Sequence, residues 1–534
     1  MFSLKIAHNA TTAKLIGASK EVELIVSDLL SYMATGADKT FAFNSGSWDG
    51  KSGFYEFGNQ TFPAGFVHMI HSELTRRGHN ASIIKKSHFE PLGPEFPTVD
   101  SFGNDNPNYD FQMRSLKQVE KYGRGIIQVA TGGGKSKIAK LIMARYRRMT
   151  LFLTTRGVLL YQMKRQLDDI GMNTGIIGDG EMKITKGINL GMVQTLVQAV
   201  ETPDLGYEVR ALIRSNKLKK DISKRISDEE ILKLAKSKVE SKTKRRDRIL
   251  KVLEMIEVVI GEEAHEVGGT SYYEILKHCK NASVRVALTA TPFMRDNVED
   301  NMRLMAAFGP VIIKVSEDLL IKRGILAKPI FKFVNCQPHP KLRSSSPWER
   351  AILLGHTENN FMHQDIVRDA LLARDHSLPF MTLVSRKIHG QNLVEAMQAA
   401  GLKVVFVQGS DDMQERDRAI FNLESGDIDG IVGTNIFDVG VDMPSVGLVQ
   451  LAGGGKAEVG MRQRVGRALR RKKNVANFAF VADYSCKMNL TLREHTKQRK
   501  AIIENIVGFS EGILPQGQDF DWSIFERKYG NATC

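Results

Sequence analysis

The sequence predicts an α/β chain: two doubly wound parallel-sheet domains behind a small α+β N-terminal domain. Three observations predict it. From about residue 110 onward, short continuous apolar runs alternate with helical patterns, as buried parallel strands and their crossover helices do. The runs fall into two successive sets, and two sets mean two sheets. A glycine-rich turn, Thr131-Gly132-Gly133-Gly134-Lys135-Ser136, joins one such run to a helical pattern.

Length and composition set the bounds. At 534 residues the chain has room for about three or four domains. Hydrophobic residues make up 42% and charged residues 25%, the proportions of a soluble globular chain. No run is long and apolar enough to span a bilayer. Met1-Phe2-Ser3-Leu4-Lys5 leads into polar sequence, unlike a secretory signal. The four cysteines, Cys279, Cys336, Cys486 and Cys534, stand far apart with no C-x-x-C pair. That argues against a zinc site and a disulfide framework, and for a reducing compartment. The formal net charge of +15 favours a polyanionic partner, though charge alone also serves solubility.

Residues 1–95 read as the N-terminal domain. Within it, 41–51 and 54–57 read as short strands joined by a glycine turn. Phe62-Pro63-Ala64-Gly65-Phe66-Val67 opens a helix that runs toward Arg76-Arg77-Gly78. Lys51, Arg76, Arg77, Lys85 and Lys86 are candidate phosphate contacts, and Trp48 reads as core, because large aromatics are mostly buried. The first sheet domain, 96–325, carries strands at 125–130, 151–154, 188–192, 258–260 and 284–288. The second, 326–500, carries strands at 380–384, 404–407, 430–432, 446–451 and 478–481, and the linker falls near 324–329. An irregular insertion, 205–255, interrupts the first. Its stretch 210–251 holds sixteen Lys and Arg against six Asp and Glu. Ile231, Leu232, Leu234 and Ala235, then Ile249, Leu250 and Leu253, suggest helices. The insertion is either a solvated helical face or an electrostatic arm for nucleic acid. Residues 501–534 form a tail that either contacts nucleic acid or simply packs on the second domain through 512–515 and 520–522.

Four motifs carry chemistry. In the first, three glycines let the backbone curl so that several N–H groups point at one centre. The following helix adds its positive end there. Lys135 suits β- and γ-phosphate oxygens, and the Ser136 hydroxyl suits Mg²⁺. The full P-loop pattern has Gly where this chain has Val129, but the T-G-x-G-K-S core is intact. The second motif is Val258-Val259-Ile260-Gly261-Glu262-Glu263-Ala264-His265. Carboxylates that end a buried strand are costly unless something there needs them. Beside a P-loop, Glu262 would hold Mg²⁺ and Glu263 would position the attacking water. His265 would then communicate with the other domain. The third is Ala287-Leu288-Thr289-Ala290-Thr291-Pro292-Phe293, where Thr289 and Thr291 can relay hydrogen bonds between a nucleotide site and a nucleic-acid groove. Alone it is a plain strand-to-loop turn. The fourth is Gln463-Arg464-Val465-Gly466-Arg467-Ala468-Leu469-Arg470. Arg467 and Arg470 share a helical face and suit charge on a transferring γ-phosphoryl group.

In this order the four motifs resemble those of superfamily 2 helicases, over about residues 109–485. The resemblance implies two RecA-like domains with ATP between them, and ATP and Mg²⁺ as cofactors. It implies catalytic roles for Lys135, Glu263, Gln463, Arg467 and Arg470. Phe111-Gln112 resembles the upstream glutamine element that contacts adenine. Asp438-Val439-Gly440-Val441-Asp442 resembles motif V, which adds Gly440 and Asp442 to the ATP-binding set. Thr155-Arg156 resembles motif Ia, and Gln194-Thr195 the later strand-contacting element of the first domain. Ser385, Arg386, Gly409 and Thr434 fall where the second domain of the family grips the nucleic-acid backbone. Phe308-Gly309-Pro310 and the stretch 320–329 resemble the bridge of DNA-type members. Trp48-Asp49-Gly50, followed by 62–67, resembles the leading domain of the UvsW helicases of tailed phages. That likeness implies a DNA-binding N-terminal domain and action on branched recombination intermediates. It also implies single- and double-stranded DNA as partners and no membrane. A monomeric state, a cytoplasmic location and recombination or single-strand-binding proteins as further partners go with it.

One departure matters. The family has Asp where this chain has Glu262, and the extra methylene bears on Mg²⁺ geometry, since magnesium demands a near-octahedral shell. Two rivals follow. One is an ATP-gated DNA-binding or annealing protein with weak hydrolysis, made so by Glu262. The other is an RNA helicase, against which the Q-R-x-G-R form, the bridge near Ala327-Lys328-Pro329 and the N-terminal domain argue.

Overall fold

The computed structural model describes residues 4–85, 89–217, 226–264, 268–293, 297–408, 411, 413–434, 446–455, 466, 469, 471–472 and 476–525. Their contacts divide them into two compact units. One runs to Gln128 and resumes over Ser136–Lys314; the other takes Val129–Lys135 and the chain from Val315 onward.

The first unit opens with β1 (Leu4–His8), β2 (Thr12–Ile16), α1 (Lys20–Leu29), β3 (Ser31–Met33), α2 (Phe41–Asn44), β4 (Lys51–Gly53), β5 (Thr61–Pro63), α3 (Val67–Arg76) and β6 (Ala81–Lys85). Four of these strands form a sheet in the order β5-β2-β1-β6. The Ser19 side chain caps α1 by accepting from the Val22 N–H. Ile6, Leu15, Val26, Phe66, Ile70 and Leu74 are fully buried in a core that continues into Met302 and Ala306. Two expectations are corrected here. Phe41–Asn44 is a short helix, not a strand, because Thr40 caps it by accepting from the Phe43 N–H at 3.3 Å. Trp48 is only half-buried, and its indole N–H donates to the Lys51 carbonyl at 2.7 Å. An amphipathic ring with its polar edge satisfied need not enter a core.

The first large sheet follows. Its elements are α4 (Asp110–Tyr122), β7 (Arg124–Val129), α5 (Lys135–Tyr146), β8 (Thr150–Thr154), α6 (Gly157–Asp168), β9 (Thr174–Gly178), β10 (Glu181–Lys183) and β11 (Ile188–Met192). Then come α7 (Val193–Val200), α8 (Leu205–Lys217), α9 (Asp228–Met255), β12 (Val258–Glu262), α10 (Gly268–Leu276), β13 (Val284–Thr289), α11 (Val298–Phe308) and β14 (Val311–Val315). Strand order is β10-β9-β11-β8-β12-β13-β7-β14. From β9 to β7 every neighbouring pair is parallel, and β10 is antiparallel to β9. Every residue of β8, β12 and β13 is buried, as a sheet covered on both faces requires. The insertion is α8 and α9. Where the sequence suggested separate helices there is one of 28 residues, α9, opened by a capping box between Ser227 and Glu230. Only Ile231, Ala235, Ile249 and Leu253 are buried along it.

The second sheet uses α12 (Glu317–Lys322), β15 (Lys328–Asn335), α13 (Trp348–Ile352), α14 (Asn360–Asp375), β16 (Phe380–Leu383), α15 (Lys387–Ala399), β17 (Val404–Val407), α16 (Met413–Ser425), β18 (Gly430–Gly433), β19 (Leu448–Leu451), β20 (Phe478–Ser485) and α17 (Leu490–Glu504). It is parallel throughout, in the order β15-β20-β19-β16-β18-β17. The described tail packs on its core: Phe520 stacks on Phe480 with centroids 4.3 Å apart, and Trp522 joins the same cluster. A polar network is buried beside it. Lys332 Nζ lies 2.8 Å from Asp369, and the Tyr484 hydroxyl donates to Asp369 at 2.6 Å. Gln450 donates to the Tyr484 oxygen at 3.0 Å and accepts from Thr382 at 2.6 Å.

Candidate nucleotide and nucleic-acid site

β12, β13 and β7 are parallel neighbours, so their carboxyl ends lie along one edge of the sheet. Glu262 is in register with Leu288, Leu288 with Ile127, and Thr289 with Gln128. The acidic pair, the T-A-T turn and the start of the glycine loop therefore share that edge. In the loop, Gly132 has φ +90° and Gly134 φ +82°, the left-handed region that glycine enters without strain. A Cβ on Gly133 would stand 2.4 Å from Val129 Cγ1, so no side chain fits there. The Gly133 N–H donates to the Ala130 carbonyl at 3.0 Å and closes the turn. α5 begins at Lys135, so its unsatisfied N–H groups and positive dipole end stand at the loop. Ser136 lies in its first turn. Lys137 is occupied elsewhere, 3.0 Å from Asp100 and donating to the Gly103 carbonyl at 2.6 Å. Within the second unit, the Ala130 N–H donates to the Val315 carbonyl at 3.0 Å. A Cβ on Gly466 would come within 2.9 Å of Thr131 Cβ, so the glycine of the fourth motif stands against the P-loop.

Glu262 is buried, 6% exposed, and its carbonyl accepts from the Tyr272 hydroxyl at 2.9 Å. Glu263 follows with φ +44°, a conformation that costs a non-glycine residue about 1–3 kcal/mol. Its N–H donates to the Leu288 carbonyl at 2.9 Å. Such strain persists only where the surroundings impose it, and here it falls on the second acid of the motif. Thr289 and Thr291 are buried, and Thr289 Oγ1 accepts from the Thr291 N–H at 3.2 Å. Phe111 and Gln112 are buried in the first turn of α4.

The same edge carries the strand-contact candidates. Thr155 and Arg156 follow β8, and Gln194 lies in the first turn of α7, just after β11. Gln194 Nε2 donates to the Thr155 carbonyl at 2.9 Å, so two motifs far apart in sequence are joined. Thr195 lines a cavity of about 800 Å³ together with Gln198, Asp204, Arg210, Lys242 and Arg245, which brings the insertion beside this motif. Lys242 pairs with the buried Glu208. Lys233, Lys236, Lys238, Lys244, Arg245, Arg248 and Lys251 of α9 are exposed. In the second sheet Ser385 and Arg386 follow β16, and Thr434 follows its neighbour β18. The Thr434 N–H donates to the Val407 carbonyl at 3.3 Å, and Ser385 Oγ donates to the Gly453 carbonyl at 2.8 Å. His265, Gly409, Gly440, Asp442, Gln463, Arg467 and Arg470 lie outside the described residues. Sequence reasoning missed the buried side chains that hold residues 452–455, His356 and Arg499, which belong to no motif.

Two family models match this chain. One, described as Type III restriction enzyme, res subunit, covers residues 107–294; the other, described as Helicase conserved C-terminal domain, covers 366–472. The first takes in the glycine loop, the acidic pair and the T-A-T turn. The second takes in Ser385, Thr434 and the Q-R-x-G-R motif. Both RecA-like halves of a superfamily 2 helicase are present, in order, and the chain belongs to that superfamily of ATP-driven helicases. Its relatives include a putative helicase of Sulfolobus islandicus filamentous virus. That protein is 23% identical over 415 residues, which are 74% of this chain and 67% of its own. The DNA 3'-5' translocase XPB2 of Sulfurisphaera tokodaii is 24% identical over 410 residues, 69% of this chain and 79% of its own. Among solved structures, T4 UvsW aligns over 96% of this chain and 99% of its own, at 16% identity and a TM-score of 0.41. A superposition that loose carries no argument about activity.

Proposed function

We propose that this chain is an ATP-dependent DNA helicase or translocase that remodels branched DNA. It would migrate junctions, unwind strands and anneal them in recombination, repair and replication. The observation that carries the reading is the single sheet edge shared by the glycine loop, Glu262, Glu263, Thr289, Thr155 and Gln194. A nucleotide at that edge and a strand at its far end would be joined through one rigid sheet. DNA rather than RNA is favoured by the name of the XPB2 relative.

In this reading Lys135 meets the β- and γ-phosphate oxygens, and Phe111 and Gln112 serve the adenine end. Thr131 to Gly134 cradle the phosphates, and Gly440 and Asp442 belong to the same ATP-binding set. Ser136 and Glu262 would hold Mg²⁺, which when bound neutralises phosphate charge. The donor set fits such an ion. No group of three or more His, Cys, Asp or Glu able to hold a metal occurs among the described residues, and magnesium takes most of its ligands from phosphates and water. Glu263 orients the attacking water and accepts its proton. Gln463, Arg467 and Arg470 steady the charge on the γ-phosphoryl group. His265, Thr289 and Thr291 couple this site to the strand. Thr155, Arg156, Gln194, Thr195, Ser385, Arg386, Gly409 and Thr434 hold the DNA backbone, with the exposed cations of α9 as an electrostatic arm. A cytoplasmic monomer working with recombination or single-strand-binding proteins accords with this reading.

The test is ATP hydrolysis and strand displacement measured on a fork, a four-way junction, duplex, single-stranded DNA and RNA, with Lys135→Ala as the blank. Stimulation strongest on branched DNA is expected. Equal stimulation by RNA would move the reading to an RNA helicase. No hydrolysis on any nucleic acid would leave the ATP-gated binding protein.

A further inference from the structure

The insertion is a closed hairpin fixed to the first sheet. At the end of α8 the Asn216 side chain donates to the Ile226 carbonyl at 2.9 Å and accepts from the Ile226 N–H at 3.1 Å. Ile249 and Leu253 of α9 share a core cluster with Leu196 and Val200 of α7. Arg246 Nε donates to the Val200 carbonyl at 2.9 Å. The cavity of about 800 Å³ lies where α7, α8 and α9 meet. Small-molecule sites span about 300–1,000 Å³.

Its walls are held in place. Asp204 caps α8 by accepting from the Tyr207 N–H. Glu208, 5% exposed, pairs with Lys242 and so ties α8 to α9. Three cations, Arg210, Lys242 and Arg245, face three acids, Glu201, Asp204 and Glu208. A phosphate would meet no net positive charge there, so the cavity does not suit a nucleic-acid backbone. It suits a flat, neutral group that both donates and accepts hydrogen bonds, and a nucleobase is such a group. Tyr207 lines the cavity and is 61% exposed, which leaves its ring open for a base to stack on. Thr195 and Gln198 of α7 add a hydroxyl and an amide opposite the insertion. Thr195 also places the cavity: Gln194 beside it donates to the Thr155 carbonyl at 2.9 Å. The cavity thus adjoins the proposed strand contacts of the first sheet. Exposed cations of α9 outside it, Lys238 and Arg248 among them, remain for the phosphates.

We propose that this cavity is a base-binding site: one nucleotide of the DNA strand turns out of the stack beside Gln194 and Thr195, and its base stacks on Tyr207. The inference rests on the reading of Thr155, Arg156, Gln194 and Thr195 as strand contacts, and it gives the insertion a role beyond charge. Every base has a π face, so the site tolerates any sequence, as a motor that travels along DNA requires. Extrusion costs least from a strand that is already single, so the single-stranded arm of a fork supplies the base.

The test moves one abasic site along the single-stranded arm of a DNA fork, whose junction fixes the register. Binding is measured with full-length protein and no ATP. For wild type, one abasic position should weaken binding about fivefold to a hundredfold, the usual worth of a base–aromatic stack. Tyr207→Ala should weaken binding to the intact fork by the same factor and become indifferent to the abasic site at that position. Tyr207→Phe keeps the ring and should bind within about twofold of wild type. The salt dependence of Tyr207→Ala should match wild type, because a base carries no charge. Four results would each overturn the site: Tyr207→Ala binding the intact fork as tightly as wild type, an abasic penalty undiminished in that variant, a flattened salt slope, or a phenylalanine variant as weak as the alanine one. Arg156→Ala runs alongside. If it loses affinity while Tyr207→Ala does not, the base site alone fails. If neither loses affinity, the strand-contact reading fails with it. If only Tyr207→Ala loses affinity, the base site stands and the Arg156 assignment fails.

Discussion

Glu263 offers the sharpest single test, because its backbone and its carboxylate can be separated. Its φ of +44° places a non-glycine residue in the left-handed region. Replacing it with Gln keeps the backbone strain and the volume but removes the base. Loss of a positioned general base costs about 10²- to 10⁴-fold, roughly 3–5 kcal/mol of transition-state stabilisation. ATP binding and melting temperature should be unchanged. Replacing it with Gly removes the base and the strain together. The strain is about 1–3 kcal/mol, and the added freedom of a glycine in the unfolded chain offsets about 0.5–1 kcal/mol of it. In a unit of about 300 residues a net gain of about 1 kcal/mol should appear as a rise in melting temperature of about 1–2 °C. The assays are DNA-stimulated phosphate release, equilibrium ATP binding and thermal unfolding on the same preparations. A Gln variant within about fivefold of the wild-type rate would remove Glu263 from the chemistry. A Gly variant less stable than wild type would show that the carboxylate holds the fold together, and the strain would lose its functional reading.

Four further outcomes are expected. Glu262→Asp should hydrolyse more slowly or need more Mg²⁺, since a buried pocket shaped around the longer arm leaves Asp short; a Mg²⁺ titration showing faster hydrolysis would reverse that view. Deleting 210–251, or reversing the exposed charges of α9, should weaken DNA binding and flatten its salt dependence, and an unchanged slope returns the insertion to a solvated face. Asp369→Ala leaves the Tyr484 hydroxyl without its acceptor and Lys332 with Asp519 as its remaining carboxylate, and should cost about 1–3 kcal/mol in urea unfolding; a loss under about 0.5 kcal/mol refutes the network. Acid should destabilise the second unit: unfolded His356 takes a proton near its ordinary 6.5, while the folded one resists until about 4, so the unfolded state binds more protons across that window and stability falls as pH drops through it. The size is about 3 kcal/mol from His356 alone, with His363 and His389 lowered in the same direction by burial, and a flat stability from pH 7 to 4.5 would contradict it.

What could be read from the sequence was local. A buried parallel strand is a continuous apolar run, and the runs at 188–192 and 404–407 match β11 and β17 residue for residue. The glycine loop, the acids and the T-A-T turn are strand-end chemistry, so locating the strands located them as well. Errors came where neighbours decide. Phe41–Asn44 has strand-like residues but a capping threonine just before it, and the cap won. β9, Thr-Gly-Ile-Ile-Gly, has too few apolar residues to register as a run, yet it is completely buried between β10 and β11.

The parts that could not be read share one physical cause. A polar residue in the core looks, in sequence, like any polar residue on the surface. His356 and Arg499 are 143 positions apart by number, and each is an ordinary member of a helical stretch. Only folding brings both onto four residues that have no motif of their own. The same holds for Lys332, Asp369 and Tyr484, which meet through three elements. Desolvation makes such groups expensive unless every partner is in place. A Cβ at 453 would stand 2.9 Å from the Ser385 nitrogen and one at 454 would stand 3.3 Å from His356 Nε2, so glycine at both lets these neighbours approach.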